Sequence, residues 1–175
     1  MIRSEEKVLP KALIFSLLFS VGLSACATTS PDSVPPEATV TVKASQNGDT
    51  RDLWSRVGAV PAQRVLPGNC GLFLWANMPE RTLVFYTDSK ASMGIIQLDG
   101  QRVILPRIEA SGESILGHFF RQSFENDQLL VTVSFNAEIK EGLNKGAIVR
   151  EGTWRIQEKS GWEIVAPIAG LIGCN

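Results

Sequence analysis

The sequence has little of what chemistry usually requires. Its 175 residues include one histidine, one tyrosine and three cysteines. A histidine-rich metal centre is excluded on that count, and an imidazole-activated nucleophile would have a single base to draw on, His118. An excess of charge of one sign is also missing: 17 Lys and Arg stand against 18 Asp and Glu, a net charge of -1. Nucleic-acid binding needs a clustered basic face to displace counterions from phosphate, and this composition supplies none. No apolar run reaches the roughly 20 residues that a membrane-crossing helix requires. With 44% hydrophobic and 20% charged residues, the chain is neither collagen-like nor wholly disordered. Nothing in it implies a cofactor or a metal.

What is present begins with an address. Arg3, Lys7 and Lys11 outweigh Glu5 and Glu6, and Ala12 to Gly22 then runs apolar and uncharged. A short apolar run behind a positive start reads as a secretory signal peptide, here residues 1–25. The run closes on Leu23-Ser24-Ala25-Cys26, which resembles the lipobox of bacterial lipoproteins. The resemblance implies that Cys26 carries the acyl chains, palmitate among them, and becomes the mature N-terminus. Ala27 stands where an aspartate would imply inner-membrane retention, so the resemblance implies the outer membrane, with the domain facing the periplasm. Two or more acyl chains hold a protein at a bilayer where one does so only marginally. The alternative is an ordinary cleaved signal followed by an incidental Cys26.

Residues 26–50 are rich in Pro, Ser and Thr and contain no aromatic residue. Such a segment cannot bury enough apolar surface to offset its ordering entropy, which predicts a flexible tether. Residues 51–175 then form the expected periplasmic β domain. Gly71–Ala76 and Thr82–Thr87 are β-rich runs, and Met93–Leu98 and Gln101–Leu105 flank Asp99-Gly100, a strong hairpin signal. Ile115–Gln122, Leu129–Asn136, Ala147–Ile156 and Trp162–Leu171 bring the total to about eight strands. Leu129, Val131, Val133 and Phe135 alternate with Leu130, Thr132, Ser134 and Asn136, the period of a sheet with one buried face. The fold class expected is all-β, an antiparallel barrel or sandwich. One helical turn is expected over Asp52–Val57.

If Cys26 is acylated, Cys70 and Cys174 remain as an even pair in an oxidising compartment. They flank the clear strands, and a disulfide between them would pin the ends of the sheet together. Two free thiols or a redox pair are the alternative, although no C-x-x-C spacing is present.

For catalysis the inventory is thin. His118 lies in an expected strand, and no G-x-S-x-G, H-E-x-x-H or Gly-rich phosphate loop occurs. The carboxylate pairs Glu109/Glu113 and Glu138/Glu141 lie in polar stretches and read as solvated surface. Of the four tryptophans, Trp75 and Trp154 are expected in the core, with Trp54 and Trp162 the other two. The reading is a protein that is not an enzyme.

Two resemblances add to this. Cys70-Gly71-Leu72-Phe73-Leu74-Trp75, Leu83-Val84-Phe85-Tyr86, Gly161-Trp162 and Pro167-Ile168-Ala169-Gly170 before Cys174 resemble a group of uncharacterised Gram-negative envelope lipoproteins. Phe85 to Gly112, including Ala110-Ser111-Gly112, is similar in part to the membrane-bound inhibitors of C-type lysozyme. That second likeness implies an eight-stranded barrel and a binding loop at Ser111 and Gly112, with Lys145 in an echo of the family's second motif. The serine of such a loop meets two carboxylates, to which a hydroxyl can both donate and accept. Ile115 occupies the position where that family's loop has a tyrosine, and Ala-Ser-Gly is also ordinary turn chemistry. The expected function is therefore non-catalytic binding of an envelope protein or peptidoglycan-related partner, with C-type lysozyme as the alternative partner.

Overall fold

A computed structural model describes residues 42–43, 54–77, 80–143 and 145–175; the expected signal peptide, Cys26 and nearly all of the tether lie outside these described residues. Among the described residues ten strands form: β1 (Val42–Lys43), β2 (Val57–Gly58), β3 (Cys70–Asn77), β4 (Arg81–Asp88), β5 (Met93–Leu98), β6 (Gln101–Ile115), β7 (His118–Glu125), β8 (Leu129–Glu138), β9 (Gly146–Glu158) and β10 (Glu163–Cys174). Strands β3 to β10 pair in sequence order, each antiparallel to the next, and β10 returns to pair with β3. The all-β expectation holds, and the architecture is a closed eight-stranded barrel rather than a sandwich. β1 adds to β10 and β2 adds to β5.

The alternation read in the sequence sets which side chains face inward. Along β8, Leu129, Val131, Val133 and Phe135 are buried while Leu130, Thr132 and Ser134 are half-buried on the outer wall. Trp154, Phe85, Phe124, Leu72 and Leu74 fill the lumen, which is a packed core. Asp99 (φ 50°) and Gly100 (φ 73°) both adopt the left-handed conformation that a two-residue hairpin turn demands, as their dipeptide predicts.

Strand β6 departs from expectation. The sequence reading ends this strand at Leu105 and takes Glu109 to Glu113 for polar loop; the strand instead continues to Ile115. Its first part, Gln101–Pro106, pairs with β5, and from Arg107 onward it pairs with β7. Pro106 thus lies where the strand changes neighbours, and two bulges, between Arg107/Glu109 and Ser111/Ser114, absorb the irregularity.

Ahead of the barrel, Trp54 and Ser55 are helical, within the turn expected over Asp52–Val57, whose first two residues lie outside the described residues and whose last, Val57, begins β2 instead. Trp54 belongs to the lumen cluster, with its ring 6.3 Å from that of Trp154, and closes the lower end of the barrel. The chain then leaves through the wall. β4 and β5 pair only at Tyr86↔Ile95 and Thr87↔Gly94. Below that point β2 bonds to Leu98 and Gln97 on one side, and Val60 N donates to Leu83 O (2.8 Å) on the other. Val60 emerges onto the outer wall, where it packs with Tyr86 and Ile95 against Phe73 and Leu83.

Candidate functional site

The upper end of the barrel collects most of the residues singled out in the sequence. Cys70 opens β3, Cys174 closes β10, and the two are joined by a disulfide at the last pair of the β3–β10 register. The pairing alternative therefore holds over free thiols. Cys70 is also a hydrogen-bond hub. Its carbonyl accepts from Ser89 N (2.8 Å), lies 2.9 Å from His118 Nε2, and its own N–H donates to Ser89 Oγ (3.0 Å). Beside it Asn69 Nδ2 donates to both Asp88 carboxylate oxygens (2.9 and 3.1 Å), and Asp88 caps the turn by accepting from Lys90 N (2.9 Å).

His118 starts β7 and is fully buried. Burial holds its imidazole below the ordinary histidine range; the Cys70 bond and the Asp88 charge oppose this shift, and Arg107 adds to it. A neutral ring that bonds a carbonyl through Nε2 must carry its proton there, leaving the Nδ1 lone pair buried without a partner. This lone pair is the basic atom, and it is sealed from solvent. His118 acts here as a bridge between strands. Nearby Arg107 Nη1 donates to Gln122 Oε1 (3.0 Å), and Gln122, also fully buried, donates to Phe119 O (3.0 Å). The polar groups of this end are thus largely satisfied internally.

Ser111, Gly112 and Lys145 also lie toward this end, but not as a shared loop. Ser111 is half-buried within β6, opposite Arg121; Gly112 has φ 82° and is the glycine that the adjoining bulge requires. Lys145 is exposed in the turn before β9, and its carbonyl accepts from Cys174 N (3.0 Å). Ile115 pairs with His118 and packs against the lumen cluster. The position matching the lysozyme inhibitors' tyrosine therefore faces inward.

At the opposite end the structure assembles a cluster that sequence reasoning missed. Arg56 donates through Nε and Nη2 to the two carboxylate oxygens of Asp99 (2.9 and 2.7 Å), approaches Glu158 (3.5 Å), and stacks 4.5 Å above the ring of Trp162. The hydrogen bonds from the Arg56 guanidinium hold the Asp99 carboxyl below the usual carboxylate range. The local sequence around Arg56 carries no sign of partners so far along the chain.

The tryptophans divide differently from expectation. Trp54, Trp154 and Trp162 are buried, while Trp75 is half-buried and stacks on Phe73 (6.2 Å), outside the lumen cluster that was expected to hold it. Strand alternation places Trp75 out of phase with the inward Leu74 and Ala76. Glu109, Glu113, Glu138 and Glu141 are all exposed, as the solvated-surface reading expects. A shallow recess of about 340 Å³ on the outer wall is lined by Asn136, Ala137, Glu138, Ile148, Arg150 and Glu151. Among the described residues, no group of three or more His, Cys, Asp or Glu is placed to hold a metal. No helix of the described residues is long and apolar enough to cross a membrane.

The chain matches no protein-family model, no curated protein and no solved structure.

Proposed function

We propose that this is an outer-membrane lipoprotein, anchored through Cys26, whose periplasmic β domain binds an envelope protein or peptidoglycan-related partner without catalysis. The observation that carries this reading is the filled lumen. Trp54 plugs one end, the β6–β7 hairpin bonds across the other through His118, and the interior is occupied by side chains. A barrel built this way offers its outer wall and its rims to partners. The inhibitor reading draws no support from β6, where Ser111 lies within a strand and Ile115 faces the lumen.

Metabolic labelling with an alkyne palmitate tests the anchor. The wild type should be labelled and fractionate with the outer membrane, and Cys26→Ser should lose both properties. Photo-crosslinking residues at Arg121 and Thr153, on the outer wall, should then join the anchored protein to a defined envelope component. A measured turnover abolished by His118→Gln in a folded domain would overturn the non-catalytic reading.

A further inference from the structure

The outer wall of the barrel is polar across three neighbouring strands. Across β7, β8 and β9, Arg121 stands beside Ser134 and Thr153, and Ser123 beside Thr132 and Arg155. The wall at β5 and β6 differs. Met93, Ile104 and Ile108 are 47%, 49% and 57% exposed, and exposed Pro106 pairs directly with Met93. These four side chains form one stripe on neighbouring strands. It continues the apolar wall of β4 and β5: Ile104 pairs with Ile95, which is buried under Val60 and Tyr86 where the N-terminal segment crosses. The cover stops halfway, and the stripe is the uncovered half.

Size and charge narrow the choice of occupant. An isolated stripe of four side chains is on the scale of the largest apolar patch of an ordinary monomer, roughly 300–600 Å². That falls short of the about 800 Å² per partner that a stable dimer buries. The stripe is a wall, with no groove to enclose a small ligand. It lies between exposed Arg102 and exposed Glu109, which leaves no net charge to favour an acidic or a basic partner. A bilayer surface is different, because only 15 residues separate Cys26 from Val42, the first described residue. Fully extended, such a segment spans about 50 Å. Any face of the domain can therefore reach the bilayer, and tethering turns a weak apolar contact into an intramolecular event at high effective concentration.

We propose that the stripe of Met93, Ile104, Pro106 and Ile108 is a membrane-docking face, which lies against the zwitterionic phospholipid surface that holds the tether. It rests on the proposed function only for the source of that bilayer. Docking turns the polar wall of β7 to β9 away from the membrane, toward partners.

The test replaces the native anchor so that the two readings fail separately. The mature chain from residue 27, with an N-terminal hexahistidine, is held on phosphatidylcholine–phosphatidylethanolamine vesicles by a nickel-chelating lipid. An environment-sensitive NBD probe is placed on Met93→Cys, or on Thr153→Cys on the far wall. Quenching by a lipid spin-labelled near the headgroup should be several-fold stronger at 93 than at 153, with a blue-shifted emission at 93 only. Ile104→Asn/Ile108→Asn, whose far-ultraviolet circular dichroism should match the wild type, should bring quenching at 93 down to the level at 153. Equal quenching at both positions overturns the proposal. Excimer formation between pyrene-labelled Met93→Cys chains on the vesicles, without lipid quenching, also overturns it and assigns the stripe to a second copy. Loss of palmitate labelling in cells would sink the native anchor and leave this result untouched.

Discussion

His118 Nε2 lies 2.9 Å from the carbonyl oxygen of Cys70, although their strands, β7 and β3, stand four places apart around an eight-stranded barrel. The bond therefore crosses the upper mouth and ties the β6–β7 hairpin to the far wall. Cys70 is held at the same time by Cys174 and by Ser89. One residue position joins the seam of the barrel, its rim and its lid.

The pH dependence of stability follows from this bond. The folded protein holds His118 neutral with a lowered pKa, so the unfolded chain binds the proton more readily. Stability from this group is complete above the ordinary histidine value near 6.5 and is lost as pH falls below it, until the folded-state pKa is passed. The melting temperature should be flat from pH 8 to 7 and decline from about pH 6.5 downward. His118→Gln should be less stable at pH 7.5, and the difference from wild type should shrink by pH 5. A difference independent of pH would exclude His118 as the titrating group.

Opening the disulfide should be costly without being lethal to the sheet. The bridge spans 104 residues, and the entropic model assigns such a closure about 4–5 kcal/mol. Cys70→Ser/Cys174→Ser should lose stability on that order in urea denaturation while keeping the far-ultraviolet spectrum, because seven β3–β10 residue pairs remain. An unchanged midpoint would mean that the denatured chain is already constrained.

Trp54 closes the lower end of the lumen against Trp154. Trp54→Ala should cost about 3–5 kcal/mol, since a large buried ring leaves a cavity that the strands cannot collapse into. Indole added to the variant should recover part of the lost melting temperature. No recovery would show that the vacated space is filled by rearrangement or by water.

Arg56 joins the segment leading into the barrel to Asp99, Glu158 and Trp162. The guanidinium and its two carboxylate partners are partly exposed, so screening limits the contribution of Arg56 to about 1–2 kcal/mol for charge and stacking together. Arg56→Lys should recover less than half of what Arg56→Ala loses, because an ammonium cannot reproduce the two-pronged bond to Asp99. Full recovery by Arg56→Lys would show that the geometry of the guanidinium contributes nothing beyond its charge.

Ser111→Ala should change stability by less than about 0.5 kcal/mol, as expected for an outward-facing strand position. In a cell-wall lysis assay with a C-type lysozyme, wild type and variant should behave alike. Inhibition by the wild type that is lost on this substitution would restore the inhibitor reading despite Ile115.

Much of the fold was legible in the sequence because its signals are local. The Asp99-Gly100 turn depends on the backbone freedom of two adjacent residues, and the inward row of β8 on alternation within one strand. The cysteine pair followed from parity, with Cys26 set aside as the expected lipidation site. The class of fold, about eight strands and the pairing of Cys70 with Cys174 could all be read before any coordinate. Closure into a barrel could not, because it depends on how far each strand is staggered against the next. Nor could the course of β6, where Pro106 and Gly112 look like breakers until the neighbouring strands are seen to change at one and to bulge at the other. His118 meets its partner 48 residues away and Arg56 meets Asp99 across 43. The residues around either position show no trace of these partners. Turns and alternation are properties of neighbouring residues, whereas a latch across a barrel mouth exists only once the sheet has closed and brought distant backbone within hydrogen-bond reach.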